Sequence, residues 1–128
     1  MKGAFIVSTD DDLYAQVERA LVERGGRATA DRVVQVADDD GVLFTVFGDL
    51  EDGFVDDLAA GADETRGEFT DVPELSPSAT CWAECSSEEA FVAWLTVIAD
   101  ARAGATWVLD GDGVLWTSQA LAPAGLRL

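Results

Sequence analysis

An α+β fold, with two main helices on one face of a largely antiparallel sheet, is the architecture this sequence predicts. Three observations lead to it. Residues 4–48 and 80–118 repeat one order of elements, β-α-β-β. Each copy carries one helix whose apolar residues recur at the spacing of a single helical face. Each copy closes on an Asp/Gly-rich turn between two runs of β-formers, which is a strong short-range hairpin signal. Six strands and two helices result, in one domain over residues 1–128. An acidic connecting segment, 49–79, separates the copies, and a C-terminal tail, 119–128, follows them.

The first copy opens on the apolar run Phe5-Ile6-Val7. Thr9 and Asp12 then stand three apart, the spacing of a capping box, and the acids Asp10 to Asp12 lie at the positive end of a helix dipole. Leu13, Tyr14, Val17, Ala20 and Leu21 form the apolar stripe, and Gly25-Gly26 offers a left-handed stop. Val34 to Ala37, Asp38-Asp39-Asp40-Gly41 and Val42 to Thr45 complete the copy as a hairpin.

The second copy runs in parallel. Thr80 to Ser86 is a strand, Ser86 and Glu89 form the capping pair, and Ala90, Phe91, Trp94, Val97 and Ile98 supply the stripe. Gly104 is the expected helix stop. Trp107-Val108-Leu109, Asp110-Gly111-Asp112-Gly113 and Val114 to Thr117 make the second hairpin. The copies differ in their aromatics: Trp82 stands opposite Phe5, Trp94 opposite Val17 and Trp116 opposite Phe44. Cys81 and Cys85 share one face of their strand. At a rise of ~3.3 Å per residue they stand ~13 Å apart, too far for a disulfide, so they read as small buried apolar residues.

Charge divides the candidate functions. The chain has 25 Asp+Glu against 8 Lys+Arg, a net charge of −17, and no histidine. Nucleic acid is excluded as a partner, because binding it rests on neutralising phosphates with Lys and Arg. An anionic membrane surface is excluded on the same ground. A basic partner, a cationic ligand or a high-salt habitat fits. Ten acids fall between Asp49 and Glu74 against the single Arg66. Within this segment Phe54, Val55 and Leu58 fit one short helix, and Pro73 and Pro77 mark irregular chain.

Catalytic chemistry finds no foothold. Without histidine there is no Ser-His or Cys-His nucleophile, and two cysteines cannot close a zinc site unaided. There is no phosphate-binding glycine loop. Read as EF-hands, the hairpin loops would place Val36 and Val108 at the first ligand position, where an acid is required. No cofactor and no metal is therefore expected. No secretory signal precedes Asp10, which leads to the expectation of a cytoplasmic protein in a reducing compartment.

Two resemblances add to this reading. The β-α-β-β order in tandem resembles the paired folds of small-molecule sensor domains. The run Trp107 to Trp116, followed by Ala122-Pro123-Ala124-Gly125-Leu126-Arg127-Leu128, resembles the C-terminal ends of the small immunity proteins that protect bacteria from polymorphic toxins. That second likeness implies an acidic, non-enzymatic inhibitor of a basic protein such as a toxin. Charge would speed the encounter and aromatic anchors would hold it. The expected contact residues are Asp49, Glu51, Asp52, Asp56, Asp57, Asp63 and Glu64, with Trp82 and Trp116. The alternative is a sensor module with a cleft between the repeats, lined by Trp82, Trp94 and Trp116. A halophilic-type acidic domain, with sixteen Asp to nine Glu and one Lys to seven Arg, is the third reading.

Overall fold

The computed structural model describes residues 2–50, 64–66 and 79–128. It is α+β. The chain runs β1 (Gly3–Val7), α1 (Leu13–Val22), β2 (Arg27–Ala30), β3 (Val33–Ala37), β4 (Leu43–Phe47), β5 (Glu64–Arg66), β6 (Thr80–Cys85), α2 (Glu88–Ala101), β7 (Trp107–Leu109) and β8 (Val114–Thr117). One sheet takes the strands in the order β2-β3-β4-β6-β1-β7-β8-β5. Every neighbouring pair is antiparallel except β5 with β8. Among the described residues, no helix is long and apolar enough to cross a membrane.

Strand alternation sets the core. Ala4 and Ile6, Val34 and Val36, Phe44 and Val46, and Cys81, Ala83 and Cys85 all point to one face. There they meet Leu13, Tyr14, Val17 and Leu21 of α1 and Ala90, Phe91, Leu95 and Ile98 of α2. Both helices therefore lie on the same side of the sheet. Phe44 sits at the centre of this layer, edge-on to Phe91 at 5.6 Å and stacked with Trp94 at 6.4 Å. Burying a side chain of this kind contributes about 1.5–3 kcal/mol. The two cysteines are free and buried, and burial pushes the Cys81 thiol up to about 12. Residues of the tail also reach the core, with Leu121 and Leu126 buried.

Two strands exceed the six expected. β2 has the sequence Arg-Ala-Thr-Ala and is exposed along its whole length, so no apolar alternation announces it. β5 lies inside the acidic segment read as a connection. The remainder of that segment, including the helix expected around Phe54, Val55 and Leu58, lies outside the described residues.

The strand pairing does not confirm the two-repeat β-α-β-β architecture expected from the sequence. The last strand of the first hairpin, β4, pairs with β6, whereas the first strand of the second hairpin, β7, pairs with β1. The two crossovers also differ: β2 runs in the direction of β1 but lies at the sheet edge with three strands between them, whereas β7 runs in the direction of β6 with only β1 between. The two hairpin loops nevertheless match atom for atom. Asp38 Oδ1 accepts from the N–H of Asp40 and of Val42, each at 2.9 Å. Asp110 Oδ1 accepts from Asp112 at 2.9 Å and Val114 at 3.0 Å. Gly41 and Gly113 complete them with φ of 81° and 79°.

The helix ends correct three expectations. Thr9 and Asp12 form no capping box, because α1 starts only at Leu13 and Thr9 falls outside its first turn; Asp12 is the N-cap without a side-chain cap bond. Ser8 Oγ instead accepts the Asp10 N–H at 3.1 Å. In α2 the cap lies one residue later than expected, at Ser87, whose Oγ accepts from the Ala90 N–H at 3.2 Å. Glu88 and Glu89 do occupy the first turn. The Glu88 carboxyl is held below its ordinary range by its own backbone N–H, with Lys2 adding to the effect. Gly25 acts as the left-handed cap of α1, with φ 93°, while Gly26 N–H reaches Leu21 O at 2.8 Å and Gly25 N–H reaches Val22 O at 3.1 Å. Gly104 plays no such part. α2 ends at Ala101 and turns off through an extended Arg102, and Gly104 is needed for space: a Cβ there would lie 2.9 Å from Asp10 Oδ2.

That close approach serves a buried guanidinium. Arg102 Nη2 donates to Asp10 Oδ2 at 2.7 Å, and its Nε donates to Gln16 Oε1 at 2.7 Å. Nη1 donates to Ala105 O at 3.1 Å and to Thr106 Oγ1. The Arg102 side chain is 0% exposed. One side chain thus joins the entry of α1, the exit of α2 and the start of β7. Arg102→Met should cost about 3 kcal/mol, since it strands the acceptors that the guanidinium satisfied. A urea midpoint that falls with an unchanged slope would register this. Arg102→Lys should recover little, because one ammonium cannot span acceptors laid out for a planar fork.

Candidate partner-binding face

The face of the sheet away from the helices is divided. Across β1, β7 and β8 it is apolar and buried: Phe5, Val7, Trp107, Leu109 and Leu115 form a second cluster, with Leu50 and Trp82 packed against it. Across β3, β4 and β6 it is more exposed among the described residues, and a polar row lies between the apolar rows Val33-Phe47-Trp82 and Ala37-Leu43. One cross-strand row reads Gln35, Thr45 and Glu84 and ends on Gly3. Gln35 Nε2 donates to Thr45 Oγ1 at 2.9 Å. Beside this row Leu43 is 51% exposed, one of two large apolar side chains so placed among the described residues.

A cleft of about 710 Å³ opens over this half. Gln35, Thr45 and Glu84 line it, with Leu43, the loop residue Asp40 and Lys2 at its borders. Lys2 is turned to Glu88, at 3.4 Å, in an exposed ion pair.

Trp82 links the two halves. Its ring packs on Phe5 at a centroid distance of 4.7 Å, and its Nε1 donates to Glu84 Oε1 at 3.0 Å. The indole lies across β1 where Gly3 has no side chain: a Cβ at Gly3 would collide with Trp82 Cζ2 and with the backbone carbonyl oxygen of Ala83. The absence of a side chain at Gly3 therefore sets the ring and, through it, the Glu84 carboxylate.

The other residues expected at a partner surface are scattered. Asp49 is exposed but already paired, accepting from Arg32 Nε at 2.5 Å. Arg32 also donates to Gly48 O at 3.1 Å and lies 4.9 Å over the Tyr14 ring. Glu51, Asp52, Asp56, Asp57 and Asp63 lie outside the described residues. Glu64 belongs to β5, where its backbone is paired in register with Val114. Trp116 is only 7% exposed, belongs to the helix-side core, and donates from Nε1 to Asp110 Oδ2 at 2.9 Å. The same Asp110 oxygen accepts from the Arg127 N–H at 3.4 Å, and Gly111 N–H donates to Arg127 O at 2.6 Å, so Trp116 and Asp110 anchor the tail. Trp82 and Trp116 thus occupy opposite faces of the sheet. Trp94 lies with Phe44 on the helix side, and the three tryptophans do not line one cleft.

Sequence reasoning passed over Gln35, Leu43, Thr45 and Glu84. The signal was present: each is the out-of-phase residue in a strand whose alternate positions are Val34, Val36, Phe44, Val46, Ala83 and Cys85. What alternation alone does not give is that these strands are neighbours.

No family model, no curated protein and no solved structure matches this chain.

Gly3→Ala should displace the Trp82 ring and lower stability by about 1–3 kcal/mol, the usual range for forcing an added methyl into a filled space. Chemical denaturation reads the loss. A shifted Trp82 indole N–H resonance in the folded variant reads the displacement.

Proposed function

We propose that the protein is a non-enzymatic acidic binding protein of the immunity type, and that it holds and neutralises a basic protein such as a toxin. The observation that carries this reading is the half-open sheet face. Among the described residues, a carboxylate-bearing cleft with a largely apolar lining stays open across β3, β4 and β6, while the face over β1, β7 and β8 is buried. On a chain of net charge −17, such a surface attracts cations over roughly a Debye length, ~10 Å at ~0.1 M salt, and accelerates association with a basic partner. Immunity-type inhibition requires only tight and correct docking, so the lack of histidine is no handicap.

The half-buried aromatic at the border of the cleft, Trp82, has the properties of an anchor: a large rigid surface with one fixed polar contact. The arrangement of the tryptophans supports a surface contact better than it supports a sensor cleft, since Trp94 and Trp116 are spent on the helix side of the sheet.

Affinity capture at low salt on the immobilised protein, beside a matrix of polyglutamate, tests the reading. A basic protein kept by this chain and not by polyglutamate, released as salt rises, is the expected result. Retention of the same proteins on both matrices, or of none, would overturn it.

A further inference from the structure

We propose that the cleft over β3, β4 and β6 is an arginine-binding subsite, which receives one guanidinium from an extended segment of the basic partner. This rests on the binding function proposed above and gives it a place and a chemistry. The lining supplies several acceptors. Glu84, which lines the cleft, is oriented by the Trp82 N–H on Oε1, and a carboxylate carries further acceptor capacity beyond that one bond. Gln35 gives its amide N–H to Thr45, which leaves the Gln35 carbonyl oxygen as an acceptor. The Asp40 side chain stands at the rim, while its backbone N–H is committed to Asp38. Lys2, the one basic residue lining the cleft, forms an exposed ion pair with Glu88 at 3.4 Å.

Several acceptors around one opening match a group with five N–H donors in a plane better than they match a compact ammonium. The exposed Leu43, beside Val42, provides apolar surface along which the three methylenes of an arginine can lie.

The probe is a dye-labelled peptide of alternating arginine and serine, titrated against the full chain by fluorescence anisotropy at low salt. Glu84→Gln keeps an acceptor for the Trp82 N–H, and it should weaken binding by at least ~10-fold, as loss of a close charge contact does. Asp31→Asn and Asp100→Asn remove the same unit of charge away from the cleft, and each should change affinity by less than ~2-fold, as exposed charges do. Leu43→Lys, at an exposed position that the fold does not need, should abolish binding by blocking the cleft. Replacing arginine by lysine in the peptide should weaken it several-fold. Equal effects of Glu84→Gln, Asp31→Asn and Asp100→Asn would overturn the subsite and leave a diffuse acidic surface, with the binding function intact. Equal affinity for the lysine peptide would overturn the guanidinium assignment. No binding of either peptide by the wild-type chain would overturn the subsite together with the reading it rests on.

Discussion

The fold depends on one cation withdrawn from water in a chain where acids outnumber bases 25 to 8. Arg102 lies beneath the exit of α2 and reaches Asp10 before α1, Gln16 within α1, and Ala105 and Thr106 before β7. These segments come from opposite ends of the sequence. Isolating a guanidinium from water carries a large penalty, which is offset only when its N–H groups find acceptors. Here the acceptors belong to the parts of the chain that must meet for the two helices to share a sheet face. The same requirement excludes a side chain at Gly104, since a Cβ there would crowd the Asp10 carboxylate.

With both helices committed to one face, the other face has no helical cover among the described residues, and its two halves differ in composition. Over β1, β7 and β8 it is aromatic and aliphatic. Over β3, β4 and β6 it carries an amide, a hydroxyl and a carboxylate in one row. Trp82 stands at the border and belongs to both, its ring against Phe5 and its N–H on Glu84. This arrangement connects folding to recognition: the packing that holds the tryptophan also aims the carboxylate.

Features whose chemistry is local were legible in the sequence. The hairpin loops follow from Asp38 and Asp110, because each aspartate itself accepts the N–H groups that close its turn. The α1 stripe and the Gly25 cap follow from periodicity and a positive φ that glycine tolerates, whereas in α2 the buried stripe is Ala90, Phe91, Leu95 and Ile98, with the expected Trp94 and Val97 only partly buried. Features that depend on neighbours far along the chain were not. β2 is an exposed edge strand with no apolar phase to detect. The inequivalent pairing of β4 and β7 depends on which strand edge each crossover reaches. Arg102 reads in sequence as an ordinary exposed residue after a helix, and only the packed fold surrounds it with acceptors. Residue parity placed Trp82 and Cys81 on opposite faces of their strand, but the fold decides which face the helices take. The candidate surface was half legible for the same reason: Trp82 was among the expected contacts, whereas Glu84, Thr45 and Gln35 become a site only once three strands lie side by side.

The central claim is that recognition belongs to the open half of the second face, next to Trp82, and not to the helix side. Titrating the ¹⁵N-labelled protein with N-acetyl-arginine amide and following the indole N–H resonances of its four tryptophans tests this most directly. The account predicts a saturable shift of the Trp82 indole together with the backbone amides of Leu43, Thr45 and Glu84, while the Trp116 indole stays in place on Asp110. Shifts centred on the helix face, or a Trp82 resonance that does not move, would contradict it.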